Sequence, residues 1–177
     1  TDAVALATAA ITMEQGLPLP LASAHTPLTP AELFMFESTG FLVVGDALSP
    51  EETAACLAAS ERVHSDLTLI RRHQVPAPQP LPTEVLPCWR QLGCMYEYER
   101  ALEQLIDHPS VFQKLTPLLG EHFILHSSWC TMVPRGYESG GGGFHQDASG
   151  PSLFRRLGTP APLVQVRVGF VLTDLSE

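Results

Sequence analysis

Basic charge is what this sequence has least of. Ten Lys and Arg stand against nineteen Asp and Glu, for a formal net charge of −9. Nucleic acid is gripped through a basic face that neutralises phosphates, so this balance argues against non-specific nucleic-acid binding. An anionic small molecule is not excluded, because a local pocket can differ from the average. Arg71-Arg72 and Arg155-Arg156 are the paired basic residues, and both read as solvated charges rather than an anion clamp. Cysteine is scarce as well: Cys56, Cys88, Cys94 and Cys130 show no CxxC and no zinc-like spacing. Thiols this sparse do not make a disulfide scaffold, and a reducing cytoplasm is the default. No apolar run approaches the roughly 18–20 residues of a membrane helix. The opening TDAVALATAAITM lacks the basic region of a signal peptide.

What is present is the composition of a globular chain. Hydrophobic residues make up 45 % and charged residues 16 % of 177 residues, enough to bury one core. Sixteen prolines and thirteen glycines call for many turns.

Residues 1–28 end in the proline-rich LPLPLASAHTPL and read as an N-terminal arm. Thr29-Pro30-Ala31-Glu32 then sets an N-cap, a Pro at the first helical position and a Glu at the third, which is a capping box. That helix should close at Gly40 in a left-handed turn. Phe41–Val44 reads as a short buried strand and Gly45-Asp46 as its turn. Ser49-Pro50-Glu51-Glu52 repeats the capping logic for a second helix, with Ala54, Leu57, Ala58 and Val63 as its apolar face. QVPAPQPLPTEVLP, residues 74–87, holds five prolines and cannot be regular structure. Glu97–Asp107 reads as a helix carrying Leu102, Leu105 and Ile106. A further helix starts at Pro109, with Val111, Leu115, Leu118 and Leu119 as its stripe and Gly120 as its end.

From Phe123 the period changes to that of strands. Phe123–Val133 alternates, placing His126, Ser128, Cys130 and Met132 on one face, with Trp129 and Met132 read as core. Leu163–Thr173 alternates too, with Gln165, Arg167 and Gly169 on one face and Val164, Val166, Val168 and Phe170 on the other. Helices over 29–120 followed by strands from about 123 give either an α+β domain or a mainly β, helix-decorated barrel, spanning 29–177. With about four strands to Glu177 the sheet has an edge and no closure, so the chain is expected to stop inside its domain.

Two His-x-Asp triplets are present. On a helix, residues i and i+2 lie about 200° apart, so His64 and Asp66 diverge and read as surface. On a strand i and i+2 share a side, so His145 and Asp147 can offer an imidazole nitrogen and a carboxylate oxygen to one metal ion. A second His from a distant strand would complete a facial triad of two histidines and a carboxylate, leaving positions for a chelating cosubstrate and dioxygen. The plain alternative for His145 is a polar residue on a sheet rim.

Four successive stretches together resemble the phytanoyl-CoA dioxygenase family. Glu37-Ser-Thr-Gly-Phe-Leu-Val-Val44 with Leu48-Ser-Pro-Glu-Glu52 is similar to its opening strand and helix. Ile106-Asp-His-Pro-Ser-Val-Phe112 with Leu118-Leu-Gly120 resembles its helix pair, Phe144-His-Gln-Asp147 its metal motif, and Val168-Gly-Phe-Val-Leu-Thr-Asp174 a later strand and turn. Order and spacing agree over roughly residues 30–177. The resemblance implies a double-stranded β-helix (jelly roll), incomplete in this chain. It also implies iron(II) held by His145 and Asp147, 2-oxoglutarate and dioxygen as cosubstrates, and hydroxylation of an unactivated carbon of a small molecule.

The family's second metal His and its 2-oxoglutarate-binding Arg are expected after Glu177, since no His follows His145 and no Arg follows Arg167. His126 is a fallback third ligand. Arg167, with Gln165 beside it, could meet a carboxylate of cosubstrate or substrate, a structural ion pair being the equal alternative. Ser128 and Cys130 could line the cosubstrate pocket, though packing explains them as well. Gln146, between the ligands, should point away from the metal. The proline segment 74–87 and the glycines 140–143 are expected to cover the site once substrate enters. A non-catalytic binding module and a cupin-like metalloenzyme without 2-oxoglutarate are the alternatives.

Overall fold

The computed structural model describes residues 21–74, 90–133 and 163–174. Ala22–Ser23 (β1) pairs in parallel with Val44–Gly45 (β2), matching Ala22 to Val44 and Ser23 to Gly45. Between them runs α1, Pro30–Thr39. After β2 come α2 (Pro50–Ser65) and α3 (Leu67–His73), then strand β3 (Arg90–Gly93). A 3-10 turn at Met95–Glu97, a short helix α4 (Arg100–Glu103), helix α5 (Pro109–Leu119) and strand β4 (Trp129–Met132) complete the order. β4 returns antiparallel onto β3, with Leu92 opposite Cys130.

This corrects the expected fold class. Among the described residues 46 % are helical and 12 % are strand, and the strands form two small sheets rather than a mainly β jelly roll. The reason is pairing. Residues 163–172, which alternate like a strand, form no ladder with another described segment. Residues 121–128 likewise stay outside any strand, and the ladder is confined to Trp129–Met132. An extended segment becomes a strand only when a neighbour accepts its N–H and C=O groups.

The helix starts follow local chemistry. Thr29 caps α1 and Ser49 caps α2, each receiving the amide of a Glu three residues on while that Glu takes the cap's own amide. α1 ends at Gly40, whose φ of 82° turns its N–H back to the Phe36 carbonyl at 2.8 Å. α2 stops at Asp66, which then caps α3 through the amides of Thr68 and Leu69. The helix expected over Glu97–Asp107 is shorter, reduced to the 3-10 turn and α4.

Burial on α2 also departs from the expected face. Cys56, Ala59, Ser60, Val63 and His64 are buried, whereas Ala54 is exposed. Val63 of this stripe packs with Leu92 and Met95, and Leu69, Ile70, Leu102 and Cys130 pack around them. Trp129, read from the sequence as core, is 42 % exposed. On the opposite flank, Lys114 of α5 reaches back to α1. Its buried ammonium donates to both Glu32 carboxylate oxygens at 3.0 and 3.1 Å, and Glu32 also accepts the Ser23 amide.

Candidate functional site

His145 and Asp147 lie outside the described residues, as do Gln146, the glycines 140–143 and most of the proline segment 74–87. The described residues supply no centre of their own: no group of three or more His, Cys, Asp or Glu among them could hold a metal ion. His126, the fallback ligand, is exposed, with its ring 3.3 Å from the Ser127 hydroxyl.

The four secondary candidates are placed. Cys130 is half-buried against the core, and its thiol donates to the Ser60 hydroxyl at 3.2 Å. Burial pushes that thiol's pKa up, against a smaller downward pull from Ser60, so it stays protonated and unreactive. Ser128 is half-buried, and its carbonyl accepts the Cys94 amide. Gln165 and Arg167 are exposed; the Arg167 guanidinium sits 5.0 Å from the centre of the Trp129 ring, in a cation–π arrangement. β4 and residues 163–174 therefore touch through Arg167, which points toward Trp129 rather than into a buried face.

A second constellation was visible in the sequence only as a helix start. Pro109 begins α5 and His108 caps it. The His108 Nδ1 accepts the Ser110 amide, so the other nitrogen carries the proton and donates to Glu52 Oε1 at 3.2 Å. The Ser110 hydroxyl lies 2.7 Å from Nδ1. A carboxylate–imidazole–hydroxyl row results, yet Ser110 is completely buried and cannot present a nucleophile to a substrate. The Ser49 amide, and then the His108 ring, hold the Glu52 carboxyl below its ordinary pKa. His25 and Phe170 add rings to His108 at 6.1 and 5.9 Å. Beside this row a cavity of about 490 Å³ opens between α2 and α4, lined by Glu51, Asp107 and Leu105 among others.

His64 departs most from its sequence reading. Rather than lying on the surface it is 1 % exposed, and neither ring nitrogen has a hydrogen-bond partner among the described residues. Burial, then the nearby Arg90 guanidinium, push its pKa from 6.5 to about 4, against a weaker upward pull from the Cys130 carbonyl. Arg90 donates to the His64 backbone carbonyl, holding that charge in place. Asp66 does diverge from His64, and its carboxylate is spent on capping α3.

The chain matches no family model, no curated protein and no solved structure.

Proposed function

We propose that this chain belongs to an iron(II)- and 2-oxoglutarate-dependent dioxygenase of the phytanoyl-CoA dioxygenase type, hydroxylating a small molecule. One observation carries the reading: Phe144-His-Gln-Asp147 stands in order with the three other stretches that resemble that family. Leu48–Glu52 opens helix α2, and the Ile106–Phe112 and Leu118–Gly120 stretches bound helix α5 at its capped start and its end.

His145 and Asp147 would hold the metal, a hard carboxylate and an imidazole suiting divalent iron. When bound, iron with 2-oxoglutarate and dioxygen supplies the oxidising power for attack on an unactivated C–H bond. The chain's own part is to fix the two ligands and to keep water from the reacting carbon. Arg167 could meet a carboxylate of cosubstrate or substrate through its N–H edge while its face stays over the Trp129 ring.

The test is formation of succinate from 2-oxoglutarate by the full-length protein, with and without iron(II) and dioxygen. Succinate that requires both supports the reading. No succinate, together with no stoichiometric iron, nickel or manganese in the purified protein, would replace it with a non-catalytic binding module. Bound metal with no dependence on 2-oxoglutarate would point to cupin-like metal chemistry instead.

A further inference from the structure

We draw no further inference here: the strongest candidate, the half-open cavity of about 490 Å³ between the start of α2 and the His108–Pro109 corner, is rimmed by the carboxylates of Glu51, Glu52 and Asp107, and the buried His108 on its wall already spends both ring nitrogens on Ser110 and Glu52, so nothing in the structure shows what would fill it.

Discussion

Replacing His64 by Leu should change the acid stability of this protein in a defined pH window. The native ring is buried and neutral with a pKa of about 4, while in the unfolded chain it returns to 6.5. Below 6.5 the unfolded state therefore binds a proton that the folded state refuses. The stability contributed by the neutral ring is fully present above 6.5 and is lost as the pH falls toward 4. At about 1.4 kcal/mol per pH unit, the gap between the two values makes roughly 3 kcal/mol. That is a large part of the roughly 5–15 kcal/mol that holds a domain folded. Leu is close in volume, cannot titrate and removes two ring nitrogens that have no hydrogen-bond partner among the described residues, so at pH 7.5 His64→Leu should be neutral or stabilising by about 1 kcal/mol. Urea titrations of both chains at half-unit steps from pH 7.5 to 4 measure the difference directly. The carboxylates of Glu32, Glu52 and Glu99, all held below their ordinary pKa, lose their contributions near and below 4.5 in both chains and cancel. The variant's advantage should grow by roughly 3 kcal/mol toward pH 4. Parallel loss in the two chains would show that His64 titrates normally. A variant more than about 2 kcal/mol weaker at pH 7.5 would show that the ring has partners after all.

Other outcomes concern the Lys114–Glu32 pair, the α2 cap and the proposed metal ligands. Lys114→Met strands the Glu32 carboxylate beside α5 and should cost about 3 kcal/mol in chemical denaturation, whereas Lys114→Met with Glu32→Leu should recover most of it; equal losses in both would deny the pair its role. Burial raises the Glu32 pKa, but the Thr29 amide and Lys114 outweigh it, so the cost of Lys114→Met should shrink as the pH falls below 4.5. Ser49→Ala should remove about 1 kcal/mol by thermal melting through loss of the α2 cap, and an unchanged melting temperature would discard the capping account. His145→Ala and Asp147→Ala should each abolish metal-dependent succinate formation while the far-ultraviolet circular dichroism stays that of the parent; an unfolded Asp147→Ala that still bound iron would overturn the ligand assignment.

How much of this was legible in the sequence depended on how far each feature reaches along the chain. The two capping boxes close within four residues, so Thr29–Glu32 and Ser49–Glu52 appear where the sequence puts them. Strands need a distant partner, and alternation says nothing of whether that partner is present. Residues 163–172 alternate as expected, yet Leu163, Val164, Val168 and Val171 are exposed, and the helices before Gly120 dominate the described fold. The candidate metal ligands were legible as a motif, but their positions fall outside the described residues, and the reading of them still rests on residue type and order.

The buried face of α2 was read only in part, Val63 being expected on it and the rest not, for a different reason. Cys56, Ala59, Ser60, Val63 and His64 recur at the i, i+3, i+4, i+7 and i+8 positions of a core-facing stripe, so the spacing was present in full. Weighting by hydrophobicity chose Ala54, Leu57 and Ala58 beside Val63, because a stripe containing a serine and a histidine scores as polar. Val63 carries the stripe into the core with Leu92 and Met95, and the residue beside it on the same face is buried with it. His64 is that residue. Its imidazole is buried by its place on that face, and the burial lowers its pKa. A buried base can thus be sought in sequence by following the spacing of small residues as well as that of large apolar ones.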